Sequence, residues 1–129
     1  QLPFILTGEK AECAYIEEIA NAVPYPNKVL AGKTSLLELK DVLANAFLTI
    51  STDSASLHIS SVQRTPSIGI FGPTSWIYAK PFGPWSTAIY DKVFYKEGKP
   101  PIKNRQEVDA YFDAIDITPA LKELESYVN

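Results

Sequence analysis

Apolar residues fall along this chain in short blocks punctuated by glycine, proline and small polar residues, and two spacings recur within the blocks. Phe4-Ile5-Leu6-Thr7 is an unbroken apolar run closed by Gly8 and reads as a short buried strand. From Ala11 to Ala22 the apolar positions Ala11, Tyr15, Ile19 and Ala22/Val23 recur every three or four residues, which predicts an amphipathic helix with that face inward. Pro24-Tyr25-Pro26-Asn27 ends it, because proline cannot continue the hydrogen-bond ladder. Lys28-Val29-Leu30 is a strand candidate before a turn at Gly32. Ser35-Leu36-Leu37-Glu38 then has the form of a capping box, in which hydroxyl and carboxylate satisfy each other's backbone N–H groups. The helix it starts is predicted to reach about Ala46, with Leu36, Leu39, Val42/Leu43 and Ala46 inward.

Phe47 to Ser51 reads as a second buried strand, Ser56 to Gln63 as a third helix, and Ser67 to Phe71 as a further strand. From Gly72 to Gly83 the pattern dissolves into glycine, proline and aromatic residues, which predicts a long loop. Ala88 to Tyr95 is predicted as strand, Gly98-Lys99-Pro100-Pro101 as irregular, and Gln106 to Ile115 as helix. Pro119 to Val128 is also predicted as helix, with Thr118 as its N-cap. Strands alternating with helices predict an α/β fold, a Rossmann-like parallel sheet with helices on both faces. No internal repeat or low-complexity segment is present.

Composition narrows the classes. The 129 residues suit a single domain, 46% hydrophobic and 21% charged. A formal net charge of −3 argues against nucleic acid as a partner. No apolar stretch approaches the roughly 20 residues of a transmembrane helix. Cys13 is the only cysteine and His58 the only histidine, so no Cys/His metal site is expected and Cys13 reads as a small core residue. There is no methionine, and the chain opens directly on a strand pattern, so a fragment or a processed product is the expectation.

Ligands of open parallel sheets bind beyond the carboxyl ends of strands. Three such ends are polar here: Thr7 to Glu12, Gly32 to Ser35, and Thr52-Asp53-Ser54-Ala55-Ser56-Leu57-His58. The third delivers an acid, small hydroxyl residues and an imidazole into the first turn of a helix, where free N–H groups and the helix dipole favour an anion such as a diphosphate. The plainer alternative makes Asp53 or Ser54 an N-cap and His58 an ordinary helix residue; the pattern alone leaves both open and leans to the plainer. No Walker lysine loop, dinucleotide glycine fingerprint or nucleophile elbow is present.

The runs Leu30-Ala31-Gly32-Lys33-Thr34-Ser35-Leu36, Thr52 to Ile59, Phe71-Gly72-Pro73-Thr74 and Pro81-Phe82-Gly83 together resemble glycosyltransferase family 9, which includes the ADP-heptose:lipopolysaccharide heptosyltransferases. The resemblance implies the C-terminal, donor-binding domain of a GT-B enzyme. It places Asp53, Ser54, Ala55 and His58 along the donor diphosphate and sugar, and Glu12 at the donor ribose. Thr34 and its neighbours, Lys33 among them, would lie against the base, and Gly72, Pro73 and Thr74 at the cleft rim. It further implies metal-independent transfer with inversion and no cofactor. The acidic base and the glycan or lipid-linked acceptor would belong to a separate N-terminal domain, so no catalytic residue is assigned here. A cytoplasmic location, or a peripheral one at the inner face of the membrane, goes with that reading. Ala55 stands where the family has glycine, which bears on how closely backbone approaches phosphate. A non-catalytic binding module on the same fold is the alternative. A flavodoxin- or response-regulator-like domain fits less well, because it would need an acidic cluster. The aromatic run Trp76 to Trp85 has two readings, stacking on a ligand or packing against another domain, and the second is favoured, with self-association as its consequence.

Overall fold

The computed structural model describes residues 2–92 and 111–128. The chain divides into two compact units, Gln1–Leu39 and Lys40–Asn129, and the boundary falls inside a helix. Each unit carries its own parallel sheet.

In the first unit, β1 (Phe4–Leu6) leads through a 3-10 turn at Lys10–Glu12 into α1 (Cys13–Ala22) and returns as β2 (Asn27–Val29), parallel to β1 with Phe4 opposite Asn27 and Leu6 opposite Val29. The period of α1 is as expected, but its inward face is not. Ile16 and Ala20 are buried, whereas Tyr15 is 67% exposed and Ile19 lies at the surface. The cause is a close approach: a Cβ at Gly8 would stand 2.3 Å from Ile16 Cδ1, so α1 seats Ile16 on bare backbone and turns Tyr15 outward. Gly32, at φ +64°, closes the turn after β2. A side chain there would be strained and would meet Lys10 Cα at 2.9 Å, so only glycine suits it. Cys13 is half-buried, with Sγ 3.4 Å from the Ala31 carbonyl oxygen.

The helix α2 (Leu36–Ala44) begins as the capping box predicts. The Ser35 N–H donates to Glu38 Oε2 at 2.7 Å, and the Glu38 N–H donates to Ser35 Oγ at 3.2 Å. The Ser35 backbone N–H, and after it the Ser35 hydroxyl, hold the Glu38 carboxyl below its ordinary value. Leu43 is buried in α2, whereas Leu36, expected inward, is 66% exposed.

The second unit continues with β3 (Thr49–Thr52), α3 (Ala55–Val62), β4 (Ser67–Phe71), α4 (Trp76–Ala79), β5 (Ser86–Tyr90) and α5 (Thr118–Val128). Its sheet is parallel throughout, in the order β3-β4-β5. The central strand β4 buries all but Ile70. On one face Ile68 packs with Ile89 and with Ala120 and Leu124 of α5. On the other a Cβ at Gly69 would lie 2.7 Å from Leu57 Cδ2, so the missing side chain lets α3 approach. Helices therefore cover both faces of this sheet, the doubly covered arrangement that alternating elements predict.

Several predicted boundaries move. The strand after α2 begins at Thr49, and Phe47 is 53% exposed. The predicted loop from Gly72 to Gly83 is interrupted by the single turn α4. The first strand of the last part starts at Ser86, and the predicted residues 93–95 lie outside the described residues, as do Gly98 to Pro101 and 106–110 of the predicted helix. Of that helix, residues 111–114 form a turn and Ile115 follows without regular structure. Thr118 is the first residue of α5 and not its N-cap: its N–H donates to Asp116 Oδ1 at 2.9 Å, which holds the Asp116 carboxyl below its ordinary value. No helix among the described residues is long and apolar enough to cross a membrane.

Candidate functional site

The strand β3 ends at Thr52, and Asp53 and Ser54 carry the chain into α3. Ser54 takes the N-cap position, with extended φ −151° and ψ 169°, but makes no side-chain cap bond. Its hydroxyl is instead 2.8 Å from Ser51 Oγ. The Asp53 carboxylate is also engaged, with Oδ1 3.3 Å from His58 Nε2. Because a carboxylate only accepts, Nε2 carries the hydrogen of that contact, leaving Nδ1 for another partner. Neither side chain caps α3, so its first-turn N–H groups, which no helix satisfies internally, have no side-chain cap among the described residues. Ser54 thus occupies the N-cap position that the plainer sequence reading gave to Asp53 or Ser54, without the side-chain bond that such a cap makes.

Ala55 is the first residue of α3 and is exposed. Among the described residues Arg64 is the only non-glycine with positive φ, so Ala55 sits there without backbone strain. Outward from His58, a shallow apolar hollow of about 270 Å³ runs between Ile59, Val62 and Lys40. Val62 is 72% exposed on it.

The other sequence-selected residues are distributed as follows. Gly72 follows β4 and is buried; a Cβ there would stand 2.3 Å from Phe112 Cζ, so the glycine admits that ring. Pro73 and Thr74 are exposed beyond it in the same unit as Asp53 and His58. Glu12, Lys33 and Thr34 belong to the first unit. Glu12 Oε2 accepts from the Glu9 N–H at 2.8 Å, and Lys33 Nζ donates to the Val29 carbonyl at 3.2 Å, so both have structural work within their own unit. Thr34 is half-buried.

Two features escaped sequence reasoning. Asp91, directly after β5, is only 2% exposed, although one acid inside the predicted strand Ala88 to Tyr95 gives no hint of burial. The aromatic run is tied to α3: Ser61 Oγ donates to the Phe82 carbonyl, Trp85 Nε1 donates to the Ser61 carbonyl at 2.8 Å, and the Arg64 guanidinium lies 5.5 Å from the Trp85 ring centroid. Tyr78 and Phe82 remain 86% and 74% exposed. No group of three or more His, Cys, Asp or Glu residues among the described residues is arranged to hold a metal ion.

Comparison with known proteins adds an independent line. The family model for glycosyltransferase family 9 (heptosyltransferase) matches residues 2–107. The chain is 34% identical over 109 residues to lipooligosaccharide heptosyltransferase 2 of Haemophilus influenzae, covering 81% of this chain and 31% of that protein. It is 32% identical over 110 residues to lipopolysaccharide heptosyltransferase 3 of Escherichia coli, covering 84% and 30%. The crystal structure of a family 9 glycosyl transferase from Veillonella parvula superposes with a TM-score of 0.68 at 16% identity, over 96% of this chain and 36% of that one, a likeness of fold. The chain thus spans about a third of the length of the relatives it matches. With the family model matching well over half of its residues, the chain belongs to glycosyltransferase family 9, the heptosyltransferase family.

Proposed function

We propose that this chain is the donor-binding part of an inverting sugar transferase of lipopolysaccharide or cell-surface glycan synthesis, and that it holds a nucleotide-sugar of the ADP-heptose kind. The observation that carries the reading is the amino end of α3: an N-cap serine whose hydroxyl bonds to Ser51, an aspartate paired with His58, and first-turn N–H groups left for an anion. In this reading those N–H groups and the Ser54 hydroxyl take the donor diphosphate, and His58, oriented by Asp53, stands beside it. Gly72, Pro73 and Thr74 shape the rim.

Chemically, the role is stabilisation of the departing nucleoside diphosphate as charge develops on it. Donors fixed by a helix end need no reorganisation during the reaction. Transfer without a metal follows from that division of labour, with the acceptor activated by an acidic base from polypeptide beyond these residues. The reading places the protein in the cytoplasm or at the inner membrane face.

Calorimetry with ADP, UDP and GDP tests it. Saturable binding of ADP, weakened at least tenfold in His58→Ala and falling as salt is raised, is the expected result. Absence of binding by all three nucleotides, from a chain with native circular dichroism, would overturn it.

A further inference from the structure

The second unit has another concave site, along β5 and distinct from the α3 end. It is a cleft of about 230 Å³ lined by Trp76 and Lys80 on one side, Thr87 and Tyr90 of β5, and Glu123 of α5. Drug-sized sites occupy roughly 300–1,000 Å³, so this one suits a single small ring and not a nucleotide-sugar.

Its lining combines three recognition chemistries. The Trp76 and Tyr90 rings are stacked, with centroids 4.7 Å apart and planes 7° from parallel, forming a rigid aromatic wall. Glu123 Oε2 accepts from Thr87 Oγ1 at 2.8 Å, which fixes the carboxylate. A carboxylate offers about four lone-pair sites, so that bond leaves acceptor capacity for ligand hydroxyls. Lys80 brings three N–H donors to the same cleft. A separate observation concerns the turn that builds the wall. Ser75 Oγ and Trp76 Nε1 are both buried without a hydrogen-bond partner among the described residues, and buried polar groups in folded proteins are seldom left so.

We propose that this cleft is a second carbohydrate site, taking one pyranose ring. The C–H face of a pyranose packs on aromatic surface, adjacent hydroxyls donate to a carboxylate, and ring and hydroxyl oxygens accept from an ammonium. An aromatic wall, a fixed carboxylate and a lysine around a ring-sized volume match those needs together. The inference is independent of the donor reading, because none of these residues lies at the amino end of α3.

The two tryptophans of the chain make the test direct. In 1H–15N spectra, the indole signal of Trp76, identified by its loss in Trp76→Phe, reports on the cleft. That of Trp85, already bonded to the Ser61 carbonyl, serves as the internal control. Methyl glycosides of glucose, mannose and galactose are titrated singly, with adenosine as a non-sugar ring. At least one glycoside is expected to move the Trp76 signal saturably with a Kd on the order of 1 mM, the strength expected of so small a ligand. The Trp85 signal should stay in place, and Glu123→Gln and Lys80→Ala should each weaken binding at least fivefold while both indole signals remain dispersed. No shift at tenfold higher sugar would overturn the proposal. Equal shifts of both tryptophans, undiminished binding in both variants, or a response to adenosine alone would do the same. Added ADP is expected to leave the Trp76 signal unmoved, so failure of one site is read separately from failure of the other.

Discussion

The strands β1 and β4 are both short, apolar and parallel to a neighbour, yet they live in different environments. Within β4, Ile68 and Phe71 have no exposed surface, because α5 packs on one face of the sheet and α3 on the other. Within β1, Phe4 and Ile5 are about half exposed. The first unit is instead specified by local devices: Gly8 under Ile16, the left-handed Gly32, the Glu9–Glu12 bond and the capping box of α2. The difference teaches that an apolar run specifies a strand, whereas the elements stacked on it decide what that strand contributes to stability.

A matched pair of substitutions breaks this comparison most sharply. Ile68→Thr removes buried methyl groups and strands a hydroxyl in the core, and should cost about 3 kcal/mol in chemical denaturation. Next in size, Ser35→Ala removes one side of the capping box and should cost about 1 kcal/mol. Its pH dependence has a definite sign. Because the Glu38 carboxyl is lowered in the folded protein, its contribution is present above the ordinary carboxylate range and fades as pH falls through the lowered value. The gap between native protein and Ser35→Ala should therefore be widest near neutrality and narrow in acid, with the Glu38 carboxyl resonance titrating at higher pH in the variant. The smallest effect is expected of Ile5→Thr, which keeps β-branching on a half-exposed strand and should stay within about 0.5 kcal/mol. Equal losses from Ile68→Thr and Ile5→Thr would refute the contrast between the two sheets.

Much of the candidate site was legible from residue order. Asp53, Ser54 and His58 fall at the end of a strand and in the first turn of a helix, as their positions predict. What those side chains do there was not legible. Asp53 and Ser54 are both good N-cap residues by type, and pattern leaned to that role. The fold spends Asp53 on His58 and Ser54 on Ser51, choices that depend on how β3 delivers Ser51 beside the helix end. The Trp76–Tyr90 stack escaped for a similar reason, since its partners are fourteen positions apart and meet only once β5 lies beside the turn after β4.

By itself the sequence determined the alternation of strands and helices, the span of β4, the capping box at Ser35 and the motifs that carry the family. All of these rest on neighbours within a few residues, where backbone preference and side-chain spacing act directly. Tertiary structure alone decided which face of α1 turns inward, that the described strands form two parallel sheets, and that Asp91 is buried. Periodicity sets how often a helix returns to the core, but the place where a bare glycine admits a side chain sets which residue arrives there. For α1 that place is Gly8, and the residue is Ile16.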